Sequence, residues 1–233
     1  LVGSEMCIRD SKLGFDWSQH LHHLSYGMVD LPSGKMKSRE GTVVDGDELI
    51  SEMKLNATEL SKELGKIEEF TPSEKEELNS TIGLGALKYF ILKVDPKKRI
   101  LFDPNESIDF NGNTGPFIQY AYARIQSLII KSKFSLTKIN LDFEITQKEK
   151  NILKQLTQFP VAIKAAGDNY SPALIANFTF ELVKLFNSYY QSTTILKVND
   201  IEIKNFRLTL SSKVGEVIKS SMKLLGVSVP NKM

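Results

Sequence analysis

The sequence predicts a mainly α-helical protein divided into two units. Three observations support this fold class. At 233 residues the chain is longer than a typical single domain. Apolar residues recur three and four positions apart along most of its length, which is the spacing of one buried helix face. Capping residues and prolines stand where several of these segments begin.

The first unit is expected to cover residues 12–109 and to begin its helices near residue 47. Between residues 47 and 69 the spacing favours a helix that Gly65 interrupts. Its apolar positions are Leu49, Ile50, Met53, Ala57, Leu60 and Leu64. The following LGALKYFILKV, residues 84–94, is compatible with a buried helix or a buried strand on periodicity alone.

A capping box precedes that ambiguous segment. Thr71 offers a side-chain cap, Pro72 suits the first helical position, and Glu74 is spaced to bond back to the cap. Beyond the segment, residues 95–98 read as a turn because they contain Asp-Pro.

The second unit, residues 110–233, is predicted to be entirely helical. A turn at Phe110–Asn113 leads to Thr114, which suits a helix cap. Thr146 and Glu149 form a second capping box, and Ser171-Pro172 begins a third helix. A fourth helix should end at Gly226. The predicted inward positions are Phe117, Ala121, Ile125, Leu128 and Ile129; Ile152, Leu153, Leu156 and Phe159; Leu174, Phe178, Leu182, Leu185 and Tyr189; and Leu210, Val214, Val217 or Ile218, and Leu225.

Charge is distributed unevenly between the two units. Residues 110–233 hold 16 Lys and Arg against 8 Asp and Glu, a net charge of +8. Residues 1–109 hold 14 against 20, a net charge of −6. A basic half favours a polyanionic partner, although an ordinary lysine-rich surface has the same composition. Scattered lysines indicate attraction and not specificity.

Cysteine content and hydropathy indicate the cellular compartment in which we expect the protein. The single Cys7 excludes an intrachain disulfide framework and suits a reducing environment. No apolar run approaches the roughly 20 residues that span a bilayer. We therefore expect a cytoplasmic protein with no membrane contact. Residues 1–11, LVGSEMCIRDS, show no signal-peptide pattern and no initiator Met, and we expect an artefact or an unstructured tail there.

The sequence GKMKSREGT at residues 34–42 gives the strongest indication of chemistry. Lys35, Lys37, Ser38 and Arg39 place three cations and a hydroxyl within five residues, between two glycines that permit the loop to change shape. Lys and Arg bind phosphate oxygens well. Such a loop can stabilise the charge that develops on a pyrophosphate leaving group. A solvated basic turn has the same residues, so the surrounding sequence must decide.

That surrounding sequence resembles the signature-loop region of class I aminoacyl-tRNA synthetases, and of the arginyl-tRNA synthetase family in particular. His23, Gly27 and Val29 precede the loop as in the family's His-x-x-x-Gly-x-Val segment. The class pattern Lys-Met-Ser-Lys-Ser reads Lys-Met-Lys-Ser-Arg here. The resemblance therefore assigns the first catalytic cation to Lys35 and leaves Lys37 and Arg39 to share the role of the second lysine.

The resemblance also has structural and ligand implications. It implies that residues 12–109 are the C-terminal end of a Rossmann-type α/β catalytic domain, with a helix at GALKYFILK and a short strand near Ile100–Asp103. It implies ATP as a substrate, accompanied by Mg²⁺. The catalytic residues would be Lys35, Lys37, Ser38 and Arg39, and the ATP-binding residues would be His23, Gly27, Val29 and Met36.

The second unit resembles the DALR anticodon-binding domain through GPFIQYAYARIQS, SPALIANFTFELVKLFNSYY and RLTLSSKVGEVIKSSMKLLGVSVPNKM. The resemblance implies tRNA contacts at Gln119, Tyr120, Arg124 and the C-terminal Met233. Aromatic rings can stack the bases of a single-stranded loop, and Tyr122 and Tyr190 are further candidates. We expect the rings of Phe117 and Tyr189 to lie in the core, because both stand on apolar stripes.

Together the two resemblances imply an arginine–tRNA ligase, which activates arginine with ATP and transfers it to tRNA(Arg). Such catalysis rests on positioning and charge stabilisation and needs no protein nucleophile. The family's HIGH motif and arginine pocket do not occur in this sequence, so we expect this piece alone to be inactive, and we expect a monomer. The alternative is a stand-alone RNA-binding helical module without catalysis. GALKYFILK and LLGVSVP disfavour a different class I synthetase.

The histidines do not predict a metal site. His20, His22 and His23 lie close together, but no Cys, His or carboxylate follows at ligand spacing. We expect a structural role for His22, whereas the resemblance places His23 near the adenine or ribose of ATP. Gly83-x-Gly85 lacks the third glycine and the strand-turn-helix context of a dinucleotide site. No protein-bound metal is predicted.

Overall fold

The computed structural model describes residues 8–32, 45–63, 70–133 and 142–233, apart from the side chains of residues 62 and 63. The predicted loop residues Lys35, Met36, Lys37, Ser38 and Arg39 lie outside these ranges, as do Leu64 and Gly65.

Helices dominate the described residues, which confirms the predicted fold class. Residues 8–12 are helical, and a 3₁₀ turn follows at Asp16–His20. The first part contains β1 (Val29–Asp30), α1 (Gly46–Glu63), α2 (Pro72–Leu92), β2 (Ile100–Leu101) and α3 (Pro104–Ile108). The second contains α4 (Gly115–Ser132), α5 (Gln147–Thr157), α6 (Phe159–Asp168), α7 (Pro172–Ser192) and α8 (Ile201–Leu224). Among the described helices none is long and apolar enough to cross a membrane.

Both predicted capping boxes are present. The Thr71 N–H donates to Glu74 across 2.8 Å, and the Thr71 hydroxyl accepts from the Glu74 N–H. The box continues into LGALKYFILKV, so α2 runs without a break and the ambiguous segment is helical. The equivalent bonds join Thr146 and Glu149 at the start of α5. There Glu149 is buried and also accepts from Arg207 Nε of α8 at 2.8 Å, which ties two helices together.

The core is divided into two clusters that meet at α2. Leu87 and Phe90 of α2 pack with α1, α3 and the strands, whereas Tyr89 packs with α4, α7 and α8. The Tyr89 hydroxyl lies 2.7 Å from Asn113 Oδ1 and 2.9 Å from the Ala176 carbonyl oxygen. Burial raises the pKa of this hydroxyl, so it remains a neutral donor at physiological pH. Helix α2 therefore belongs to both cores.

Most of the predicted inward positions are buried or half-buried, and two are not. Leu153 is 36% exposed and Leu174 is 41% exposed. Ile152, next to Leu153, takes the inward position together with the buried Glu149, and the helical period turns Leu153 outward. Leu174 lies in the first turn of α7, at the rim of a cavity and ahead of the tightly packed part of the helix.

Close backbone contacts join α2 to its neighbours. A β-carbon at Gly83 would lie 2.6 Å from the carbonyl oxygen of Met53 in α1. A β-carbon at Gly115, the first residue of α4, would lie 2.5 Å from the carbonyl oxygen of Gly85. The two helix crossings therefore require glycine. An added β-carbon would collide with backbone atoms, which cannot move aside as the end of a flexible side chain can.

We predict that Gly83→Ala lowers the free energy of unfolding by about 1–3 kcal/mol, because α1 and α2 must separate to admit the methyl group. Gly167→Ala in α6 is the matched control. Nothing lies within 4 Å of a β-carbon there, so we expect stabilisation by about 0.4–1 kcal/mol. Urea unfolding followed by circular dichroism measures both. Equal stability of the two variants would refute the close-contact interpretation.

Candidate functional site

The segment that carries His23, Gly27 and Val29 is held against the turn after α2. The Gly27 N–H donates to the Pro96 carbonyl oxygen at 2.6 Å, and a β-carbon at Gly27 would lie only 2.0 Å from the Lys98 carbonyl oxygen. The sequence position therefore requires glycine for packing. Its N–H is already bonded within the protein, and a contact of the Gly27 backbone with ATP stays a prediction. His23 is exposed.

A two-residue parallel pairing fixes Val29. Val29 is opposite Ile100 and Asp30 is opposite Leu101. The Met28 and Asp30 carbonyl oxygens accept from the Ile100 and Phe102 N–H groups at 2.9 and 2.7 Å. Backbone groups alternate along a strand, so the N–H and carbonyl of Val29 face away from β2. They are directed toward the opposite edge of β1, which leaves the predicted contact of the Val29 backbone with ATP possible on that side.

An ion pair strengthens the same pairing. The Arg99 Nε donates to the buried Asp30 carboxylate. The hydrogen bond and the charge of Asp30 raise the pKa of Arg99. The pair ties the last described residues before the signature loop to the strand that follows α2.

A cleft of about 400 Å³ lies where the two parts of the chain meet. Three of the four predicted tRNA-binding residues, Tyr120, Arg124 and Met233, line it together. The remaining lining residues come from α1, α2, the turn before α4, α4 itself and α7: Ser61, Leu78, Ile82, Phe110, Asn111, Phe117, Asn187 and Gln191. Residues of both units therefore line the cleft, and Met233, the last residue of the sequence, is one of them.

Arg124 is oriented by three partners. Its guanidinium carbon lies 4.8 Å from the Tyr120 ring centroid and 5.1 Å from the Tyr190 ring centroid. Its Nη1 donates to Asn187 Oδ1 at 2.9 Å. Within the described ranges no Asp or Glu pairs with it. A guanidinium has five N–H donors, so this half-buried cation keeps donors for an acceptor placed in the cleft.

Asn187 and Gln191 are site residues that the sequence analysis missed. They stand four apart on α7, which places both on one face of that helix. The sequence feature that could have identified them is their four-residue spacing beside the apolar stripe that ends at Tyr189. Two isolated amides on a helix are common, however, and only the packing of α7 against α4 gives them a shared cleft.

Gln119 is not an RNA contact. Its side chain is fully buried, and Nε2 donates to the Thr81 carbonyl oxygen at 3.0 Å and to the Ser228 carbonyl oxygen at 2.8 Å. A β-carbon at Gly85 would lie 2.3 Å from the same nitrogen. The amide therefore joins α2, α4 and the C-terminal tail, and no donor of its own faces solvent.

The aromatic candidates separate into core and cleft residues. Tyr122 is buried, and burial raises the pKa of its hydroxyl, which lies 3.3 Å from Asn231 Oδ1 of the tail; it does not present a ring for stacking. Tyr189 is in the core as predicted. Phe117 is half-buried and lines the cleft, so its prediction as a core residue is only partly correct. Tyr190 is half-buried and supports Arg124.

All three histidines lie in the described part of the chain. The described residues contain no group of three or more His, Cys, Asp or Glu arranged to hold an ion. His22 stacks on Tyr170 with ring centroids 3.9 Å apart and planes 9° from parallel. This ring contact joins His22 to the turn before α7.

Two family models match consecutive parts of the chain. Residues 5–103 match "tRNA synthetases class I (R), catalytic domain", and residues 118–233 match "DALR anticodon binding domain". The first match begins within residues 1–11, which the sequence analysis placed outside the family. The predicted boundary at Asp109 falls between the two matches. Together the two parts define a class I aminoacyl-tRNA synthetase.

Curated relatives narrow the family further. Arginine–tRNA ligase of Flavobacterium psychrophilum is 56% identical over 222 residues, which are 95% of this chain and 37% of that protein. The Parabacteroides distasonis ligase is 52% identical over 95% of this chain and 38% of its own length. The chain belongs to the arginyl-tRNA synthetase family, and it spans little more than a third of these relatives.

Solved structures agree with this assignment. Arginyl-tRNA synthetase of Thermus thermophilus superposes with a TM-score of 0.84 at 27% identity, covering 96% of this chain and 38% of that one. The Plasmodium falciparum enzyme superposes with a TM-score of 0.76 at 22% identity, covering 99% and 40%, and supports the fold alone. The catalytic-domain match disfavours the alternative of a stand-alone RNA-binding module.

We predict that Gln119→Leu destabilises the chain by about 2–4 kcal/mol, because two buried carbonyl oxygens lose their shared donor. The tail should loosen as well, since one of those carbonyls belongs to Ser228. Hydrogen exchange across residues 227–233 measures the second effect. Gln155→Leu on the half-buried side of α5 serves as the control. Unchanged exchange in the Gln119 variant would contradict the anchoring role.

Proposed function

We propose that this chain is part of an arginine–tRNA ligase that activates arginine with ATP and transfers it to tRNA(Arg). The chain contributes the signature loop and the anticodon-binding domain. The observation that carries the proposal is the convergence of Tyr120, Arg124 and Met233 on one cleft. These residues come from one helix and the end of the sequence, and the family resemblance by itself implies that they contact tRNA.

The nucleotide side of the reaction depends on the loop between β1 and α1. Lys35, Lys37, Ser38 and Arg39 would act on the phosphates of ATP, with Mg²⁺ accompanying the nucleotide as part of the substrate. His23 and Val29 precede the loop, and Met36 lies within it. Gly27 lies close to the Lys98 carbonyl oxygen, so the residues that precede the loop lie against the turn after α2.

The RNA side depends on the cleft. A single unstacked base can stack on the half-buried Tyr120 ring, while Arg124 offers N–H donors to a phosphate or a base edge. Asn187 fixes the direction of the guanidinium, so the donors do not have to be ordered on binding. The excess of cations over carboxylates in residues 110–233 adds a general attraction for the tRNA backbone. Gln119 takes no part in contact.

We also propose that the enzyme acts as a monomer in the cytoplasm. Arginine, ATP and tRNA are its substrates, and protein synthesis brings all three together there. The single cysteine fits a reducing compartment. Both proposals rest on the family and on composition, and size-exclusion chromatography of the complete enzyme tests the first.

In the complete enzyme, we predict that Lys35→Ala slows arginine-dependent pyrophosphate exchange by roughly 10-fold or more, with little change in the KM for arginine. The lysine would act on charge that develops in the transition state, and not on the amino acid. Lys54→Ala, an exposed position on α1, is the control and should retain the full rate. Exchange at the wild-type rate in the Lys35 variant would refute the catalytic assignment.

We predict that Arg124→Ala weakens binding of an arginine anticodon stem-loop by roughly 5-fold to 150-fold, the range expected for losing one good contact. Its melting temperature should change little, because both tyrosine rings and Asn187 remain packed without it. Lys184→Ala, an exposed cation on α7 that pairs with Glu181, is the control. Affinity should fall as salt rises for both variants.

The same titrations separate phosphate contact from base contact. A loss of affinity that is uniform across anticodons indicates phosphate, whereas a loss of discrimination indicates a base edge. A lower melting temperature with unchanged affinity would instead assign Arg124 to the stability of the bundle.

A further inference from the structure

The turn between α6 and α7 carries an unusual backbone. Helix α6 ends in a Schellman motif, in which the Ser171 N–H donates to the Ala166 carbonyl and the Tyr170 N–H donates to the Gly167 carbonyl, at 3.0 and 3.2 Å. The residue at the left-handed position of this motif is Tyr170, with φ of 51°. A side chain is disfavoured at such a position, which most often holds glycine.

The end of α8 provides an internal comparison. Val227 and Gly226 make the same two bonds, to the Met222 and Lys223 carbonyls, at 2.9 and 3.0 Å. There the left-handed residue is Gly226, with φ of 66°. One chain therefore uses the favoured residue at one helix end and a bulky aromatic at the other. A bulky residue retained in a disfavoured conformation indicates that its side chain has a use.

The Tyr170 side chain contacts the other unit. Its ring stacks on His22, with centroids 3.9 Å apart and planes nearly parallel. His22 stands five residues before Gly27, in the segment that leads to β1 and has no regular secondary structure. The stack therefore holds the upstream end of this segment, while Gly27 and Met28 hold its downstream end through Pro96 and Ile100.

His22 and Tyr170 are part of the lining of a cavity of about 360 Å³, to which both units contribute residues. Its walls include Ser25 from the segment, Asp95 and Lys97 from the turn after α2, and Asn169 from the turn before α7. The ring of Tyr170 spans the gap from the helical unit.

We infer that Tyr170 is a positioning residue: it braces residues 21–28 against the helical unit and so fixes the approach to the signature loop. The brace itself follows from the stack and the strained turn. Its consequence for ATP rests on the proposed function, because that proposal places His23 and Val29 beside the nucleotide. Tyr170 touches no reacting atom in this arrangement and acts only through His22.

The decisive variant is Tyr170→Gly, because it relieves the backbone while removing the ring. The melting temperature should stay level or rise, since glycine fits the left-handed position. Amide hydrogen exchange across residues 21–28 should nevertheless accelerate by roughly 3-fold or more. The His22 ring protons, identified by His22→Gln, should lose the upfield NMR shift caused by the tyrosine ring. Tyr170→Phe keeps the stack and should match the wild type in all three measurements.

Leu174→Ala is the matched control, because it enlarges the same cavity and leaves the stack in place. It should alter neither the exchange of residues 21–28 nor the His22 resonance. Unchanged exchange in Tyr170→Gly would overturn the brace. Faster exchange accompanied by a lower melting temperature would also overturn it, by showing a general loss of structure.

Kinetics of the complete enzyme separate the brace from the proposed function. If both hold, Tyr170→Gly raises the KM for ATP by roughly 3-fold or more and changes kcat less. If exchange accelerates while the KM for ATP stays at its wild-type value, the brace stands and the assignment of this segment to ATP is refuted.

Discussion

The arrangement of the two units depends on one buried amide. Gln119 donates from a single nitrogen to carbonyls of α2 and of the C-terminal tail, and Gly85 leaves the space that this nitrogen occupies. Because both acceptors are backbone atoms, the bonds fix the positions of main chains and not of flexible side chains. Tyr89, which reaches from α2 toward Asn113 and Ala176, reinforces the same junction.

The chain end belongs to the candidate site because of that junction. After α8 the tail is held at successive points: Lys88 Nζ donates to the Gly226 carbonyl at 3.0 Å, Gln119 binds Ser228, and Tyr122 meets Asn231. Each partner lies on α2 or α4, so the tail runs along the junction between the two units. Met233 thereby reaches the cleft where Tyr120 and Arg124 lie. The position of Met233 is thus set by contacts several residues upstream.

Local features of the fold could be predicted from the sequence, whereas contacts between distant residues could not. The capping boxes at Thr71 and Thr146 involve residues three apart, and their geometry follows from short-range chemistry. That Glu149 also binds Arg207 depends on how α5 meets α8. Gln119 looked like a surface residue because glutamine is usually exposed, and only the packing of three segments gives its amide buried acceptors. Asn187 and the strained Tyr170 escaped prediction for the same reason.

The cleft has a thermodynamic consequence because its walls come from both units. A molecule seated between Ser61 of α1, Tyr120 of α4 and Asn187 of α7 binds only while those helices remain apposed. Its binding free energy is then added to the cohesion of the junction by mass action, about 2.7 kcal/mol at a ligand concentration one hundred times the Kd. A bound molecule thus stabilises the same junction that Gln119 stabilises in the free protein. The melting temperature then rises with the fraction of clefts that are occupied.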